Sequence, residues 1–236
     1  MIATAASAAA LMMASGGADG VPPLPPSALA HAQAEALIET LNGRLLASNS
    51  ATATLADWCA VHGLAADPHI RATLDRSEYR APTDEQRARL QIGPDEPVGY
   101  RHVALMCGER TLSIAENWFV PGRLPADTVK LLAETDTPFG TAIRSMSPSR
   151  RTISAERLWR PLPEGWESPQ HAPRSATDQP ASAACEPVPA ELIRHRALVL
   201  DAQGMPLAEV AETYQRAMLD FPLPWASAAA DSCPAG

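Results

Sequence analysis

The sequence predicts an α+β domain: a single antiparallel β-sheet with helices packed on it, a Pro-rich insert and disordered termini. Three observations carry that prediction. Over residues 27–46, apolar side chains recur with a helical period at Ala30, Ala34, Leu37, Ile38, Leu41 and Leu45. The middle of the chain then changes to two strand-like runs, 98–106 and 111–120, joined by Cys107-Gly108-Glu109-Arg110 as a hairpin turn. A second pair of such runs, 192–200 and 206–218, flanks the turn Asp201-Ala202-Gln203-Gly204.

The remaining elements follow from local signals. Residues 1–26 form a leader that ends in the hinge Val21-Pro22-Pro23-Leu24-Pro25-Pro26. Its apolar stretch and small residues suit a secretory signal, but the first basic residue is Arg44, so a disordered Ala-rich extension is an equal reading. A second helix is expected over 54–62, with Gly63 as its C-cap. Residues 70–79 read as extended, and Thr83 caps a helical turn through Leu90 that Gly93-Pro94 ends. After Pro121-Gly122 come a helix over 124–133, the turn Thr137-Pro138-Phe139-Gly140, a short helix over 141–147 and a strand over 151–159. Residues 160–190 lack periodicity and are rich in proline, which marks a flexible insert. One domain over 27–221 and a disordered tail over 222–236 complete the prediction.

Composition narrows the function. With 19 basic and 27 acidic residues the net charge is −8, a poor match for a nucleic-acid binder, which needs a basic face. No apolar run approaches the roughly 18–20 residues of a membrane helix. The four cysteines, Cys59, Cys107, Cys185 and Cys233, never form a CxxC pair, so no structural metal site is expected from them. Cys59 and Cys107 read as small buried thiols, and two disulfides would require export. Phosphate-binding loops, HExxH and Gly-x-Ser-x-Gly are missing from the sequence.

An internal repeat singles out candidate residues. Arg101-His102-Val103-Ala104-Leu105 is answered by Arg194-His195-Arg196-Ala197-Leu198, and Ala115-Glu116-Asn117-Trp118 by Ala211-Glu212-Thr213-Tyr214. On a strand, Arg101 shares a face with Val103 and Leu105, and Glu212 shares one with Val210 and Tyr214. A cation and a carboxylate on apolar faces form a candidate anion site. His102 and His195 read as satisfied or surface histidines, and Trp118 and Tyr214 as sheet-core aromatics.

From about Leu45 to Met218, the order of these elements resembles chorismate lyase, whose fold is shared by UTRA-type effector domains of transcription regulators. The resemblance runs through the helix ending His62-Gly63, the hairpin from Arg101 to Pro121, Thr137-Pro138-Phe139-Gly140, Arg150-Arg151 and the last hairpin. It implies elimination of pyruvate from chorismate to give 4-hydroxybenzoate or an isomer, with no cofactor and no metal. Arg101 would hold a carboxylate, Glu212 would meet the hydroxyl end or move the proton, and Phe139 with Gly140 would contact the ring. Arg151, Arg194 and Arg196 are further anion contacts. The family's turn carries Leu in place of Phe139, which narrows the pocket, and Glu209 rivals Glu212 by its distance from Pro206.

The implied partner is a small carboxylated molecule, with no nucleic acid and no integral membrane segment. The alternative is a non-catalytic binding protein of the same fold. A lyase would be cytoplasmic; a functional leader would make the protein periplasmic or secreted.

Overall fold

The computed structural model describes residues 20–168 and 184–233. The first 19 residues of the leader, the centre of the insert and the last three residues lie outside the described residues.

Helix α1 (Ala28–Ala47) starts where the Ser27 hydroxyl accepts the Ala30 N–H, and it buries Ala30, Ala34, Ile38, Leu41 and Leu45 along one stripe. Helix α2 (Ala51–His62) is capped by Ser50 and closed by Gly63, whose φ of 61° is in the left-handed region. Strand β1 (Ile70–Asp75) precedes α3 (Asp84–Leu90), where Thr83 and Gln86 form a reciprocal capping box. The first hairpin is β2 (Gly99–Cys107) and β3 (Arg110–Phe119). Helices α4 (Ala126–Glu134) and α5 (Phe139–Ala142) lead to β4 (Ser149–Arg157). The second hairpin is β5 (Glu191–Leu200) and β6 (Pro206–Gln215), followed by α6 (Ala226–Ser232).

The six strands form one sheet in the order β1-β2-β3-β6-β5-β4, with every neighbouring pair antiparallel. The α+β prediction therefore holds. Because strand side chains alternate, register assigns each residue to a face. Arg101 lies opposite Asn117, which lies opposite Val210; Val103, Ala115, Glu212 and His195 form the next row of the same face. We call this the inner face. Leu41, Leu45, Leu55 and Trp58 of α1 and α2 cover one end of it, against Val103, Leu105 and Tyr214. Leu132, Phe139 and Ile143 cover the other end, against Phe119, Val199 and Val210. On the outer face, Leu90 of α3 packs with Trp118 and Leu198. Among the described residues no helix is long and apolar enough to cross a membrane.

The structure moves several expected boundaries. Leu24 is fully buried and exchanges two backbone hydrogen bonds with Glu186, so residues before 27 are part of the packing. At the other end Trp225 is buried and α6 is ordered, which extends the domain past 221. Chain sense returns to a 3₁₀ turn after Gln215, where Met218 and Leu219 enter the core. The internal repeat is out of phase with the sheet. Arg101 faces inward opposite Asn117, whereas Arg194 faces outward opposite Thr213. Likewise Glu116 is on the outer face, accepting from Tyr100 Oη (2.8 Å) and Arg80 (3.0 Å), and does not correspond to inward-facing Glu212.

All four cysteines are paired. Cys59–Cys107 ties α2 to the end of β2 with Cα atoms 6.4 Å apart, and Cys185–Cys233 ties the last part of the insert to the end of α6 at 5.7 Å. The expected free thiols are corrected by this proximity, which falls in the range that a disulfide spans. Each bridge closes a sequence separation of 48 residues. Replacing Cys59 and Cys107 together by alanine should lower the unfolding free energy by about 2–4 kcal/mol, read from urea denaturation without reductant. An unchanged midpoint would show that the bridge adds no stability.

Candidate functional site

Between the two covered ends of the inner face, the start of α2 and the turn into α5 approach each other over the sheet. They roof a cavity of about 50 Å³ lined by Ser50, Thr52, Phe139, Gly140, Asn117, Arg150 and Glu212, among others. A Cβ on Gly140 would stand 2.9 Å from Thr52 Oγ1, so glycine permits this close roof. Pro138 sets the backbone at the entry to α5, which swings Phe139 under the roof.

The floor holds a buried ion pair. Arg150 Nη2 donates to Glu212 Oε2 at 2.6 Å, and their side chains are 4% and 8% exposed. Tyr214 Oη donates to the same oxygen at 3.0 Å. Burial alone would weaken the Arg150 charge, but Glu212 and Tyr214 outweigh it and raise its pKa above the ordinary arginine value. Burial and the adjacent Glu212 carboxylate push the Tyr214 hydroxyl well up. His195, on the same row as Glu212, is fully buried. Its Nε2–H donates to Asn42 Oδ1 at 2.9 Å, its ring meets Tyr214 edge-on, and Nδ1 has no hydrogen-bond partner among the described residues. Burial, aided by Arg150, pulls the His195 pKa down to about 4.

Arg101 is also inward-facing but lines a neighbouring groove of about 340 Å³, with Asp75, Arg76, Glu78, Tyr79, Tyr100 and Phe119. It is 5% exposed. Nη2 donates to the Thr137 carbonyl at 3.1 Å, while Nε and Nη1 are buried with no partner. Burial, with Arg76 nearby, lowers its pKa to about 10. Groove and cavity share a wall in which the Phe119 and Phe139 ring centroids lie 6.0 Å apart.

The structure thus gathers Phe139, Gly140 and Glu212 in one cavity and sets Arg101 beside it. Glu209 is fully buried on the outer face, held by Arg89 through bonds of 2.7 and 3.0 Å and by Gln86 at 3.3 Å. Arg196 reaches that same Glu209 at 3.5 Å, and Arg194 pairs with Glu156 and Glu191. Arg151 is exposed, because strand alternation turns its neighbour Arg150 inward instead. None of Arg151, Arg194 and Arg196 lines the cavity.

No family model matches the chain. The uncharacterized protein y4mC of Sinorhizobium fredii (strain NBRC 101917 / NGR234) is 40% identical over 201 residues, covering 85% of this chain and 82% of y4mC. The chain belongs to the y4mC family. Solved structures resemble it in part. PhnF from Mycobacterium smegmatis overlays with a TM-score of 0.46 at 14% identity, over 72% of this chain and 65% of that one. The effector domain of PhnF gives 0.43 at 16% identity, over 71% and 89%. YydK from Bacillus subtilis subsp. subtilis str. 168, described as a possible transcriptional regulator, gives 0.37 at 15%, over 65% and 61%. This chain therefore spans just under two thirds of those PhnF and YydK chains.

In this y4mC-family domain the residues that sequence patterns miss are Arg150, Tyr214, His195 and Asn42. The signal for Arg150 is the parity of β4, which is shifted by the irregularity between Thr152 and Ser154. Removing one member of the buried pair, as in Glu212→Gln or Arg150→Ala, should cost about 3–5 kcal/mol, whereas a joint Arg150→Met/Glu212→Leu replacement should cost much less; urea denaturation reads both. His195 adds a pH dependence. The unfolded chain binds its proton below about 6.5 and the folded one only below about 4. Stability should therefore fall as pH drops through that window, by up to about 3 kcal/mol, and His195→Gln should flatten the fall. Identical slopes in both proteins would assign the dependence to other groups.

Proposed function

We propose that this domain binds a small aromatic carboxylate through Arg101 and acts as a binding module. The observation that carries this is the Arg101 guanidinium itself, nine-tenths buried with two unpartnered nitrogens. Among the described residues it has no carboxylate within ion-pair distance. A buried cation without a counter-charge costs several kcal/mol, and the planar fork of arginine is suited to a bidentate carboxylate. Tyr79, Tyr100 and Phe119 line the same groove and offer ring surfaces to an aromatic acid.

The chorismate lyase reading stands second, supported by the meeting of Glu212, Phe139 and Gly140 with Arg150 in one cavity. There the ether C–O bond of chorismate would break, the ring would lose a proton and aromatise to 4-hydroxybenzoate, and the departing enolpyruvyl group would gain a proton to become pyruvate. Three facts favour binding over turnover. The cavity has room for only one or two waters. Arg101 opens on the neighbouring groove. Both disulfides suit an oxidising compartment, whereas chorismate is a cytoplasmic metabolite.

The test incubates the full chain with 4-hydroxybenzoate and with chorismate, following melting temperature and released pyruvate. Saturating 4-hydroxybenzoate should raise the melting temperature by about 5–10 °C, an effect lost in Arg101→Ala and kept in Arg151→Ala. No pyruvate should appear. A shift that survives Arg101→Ala overturns the binding assignment, and stoichiometric pyruvate with an aromatic acid, lost in Glu212→Gln, establishes the lyase instead.

A further inference from the structure

We propose that Asp75, Glu78 and His102 form a site for a divalent cation of the zinc class on the wall of the Arg101 groove. Antiparallel register places Asp75, the last residue of β1, directly opposite His102 of β2, and Glu78 follows three residues later. His102 Nδ1 lies 3.7 Å from Asp75 Oδ2 and 3.6 Å from Glu78 Oε2, with the three ligand atoms all within 4.8 Å of one another. Those separations exceed a hydrogen bond, and Nδ1 is buried from solvent without a hydrogen-bond partner among the described residues. A tetrahedral ion with bonds of about 2.0–2.1 Å sets its ligands roughly 3.3 Å apart, so the two His102 separations close on an ion with shifts of a few tenths of an ångström, and the two carboxylates with a rotation of the exposed Glu78 side chain.

The carboxylate is held as a ligand would be. Asp75 Oδ1 accepts from the Ser77 N–H at 2.9 Å and the Ser77 hydroxyl at 2.6 Å, which leaves Oδ2 turned to His102. Such outer support fixes ligating carboxylates in metal sites. One imidazole with two carboxylates favours zinc over magnesium or calcium. The four cysteines, all in disulfides, cannot compete for the ion.

A second, independent observation points to a ligand in the same groove: the nine-tenths-buried Arg101 with its two unpartnered nitrogens. The acidic Asp75 and Glu78 there offset the cationic Arg76 and Arg101, so the bare groove has little net attraction for the anion that Arg101 requires. A divalent ion neutralises both carboxylates and leaves the two arginines to act. Arg101 and His102 are neighbours in β2 on opposite faces of the sheet and both reach this groove, so the ion acts on the anion through charge, while its open coordination position is left to water. The anion half of this proposal rests on the carboxylate-binding reading; the metal half does not.

The experiment strips the full chain with chelator, then titrates it with zinc chloride alone by calorimetry, without reductant. One equivalent should bind with micromolar affinity, weakened at least tenfold in His102→Ala and in Asp75→Asn, while circular dichroism shows both variants folded. His69→Ala, which removes the exposed His69–Asp67 pair, should leave the titration unchanged. No binding, binding unaltered in His102→Ala and Asp75→Asn, or binding abolished by His69→Ala overturns the site. A second titration adds 4-hydroxybenzoate with and without zinc, and zinc should tighten it at least tenfold. Equal affinity overturns the link between metal and anion. Zinc binding in a protein that takes no carboxylate upholds the metal site and overturns the proposed function instead.

Discussion

A charge carried to the inner face of this sheet needs a counter-charge, and Arg150 and Arg101 meet that constraint in different ways. Arg150 finds Glu212 within hydrogen-bond reach, with Tyr214 completing the carboxylate's shell. The pair can then be roofed by helices over a small cavity of about 50 Å³. Arg101 is inserted equally deep, yet its protein contact is a neutral carbonyl. The low dielectric that strengthens the first arrangement leaves the second charge uncompensated among the described residues.

How far the sequence reveals this depends on which physical rule decides each residue. Helical stripes, capping residues and turn glycines are local, so α1, α2, the Thr83 cap of α3 and both hairpins were legible. Face assignment is also local within one strand, and it correctly sends Arg101 and Glu212 inward. Comparing strands is not local. Arg194 appeared equivalent to Arg101 because the letters match, but a shift of one residue inverts every side chain. The same rule separates Glu209, bound by α3 on the outer face, from Glu212, and Arg151 from Arg150. Glu212 lines the cavity and Glu209 does not, and the match of Glu212 to Glu116 plays no part in that difference, since Glu116 is on the outer face.

Tertiary proximity accounts for what could not be read at all. Asn42 of α1 reaches His195 of β5 across 153 positions of sequence, and nothing in either neighbourhood announces the contact. Cys59 and Cys107 looked like isolated apolar-neighbourhood thiols until the packing of α2 on the sheet brought them together. Proline content misled in the opposite direction. The Pro-rich segment at 21–26 reads as outside the fold and the one near 186 as part of a flexible insert, yet an extended backbone fixed by proline can pair with another, as Leu24 and Glu186 do.

The placement of the two bridges has a consequence for how the protein is made. The strand order divides the sheet at the β3–β6 seam into an early half, β1-β2-β3, and a late half, β6-β5-β4. Each half contains its own bridge, first cysteine to second and third to fourth, and neither crosses the seam. A chain emerging from its N-terminus can thus oxidise its first pair before the third cysteine exists, which removes by timing the two wrong connectivities that four cysteines otherwise permit. The seam itself is left to strand hydrogen bonds and apolar burial, so the halves can still slide into register after both covalent links are in place.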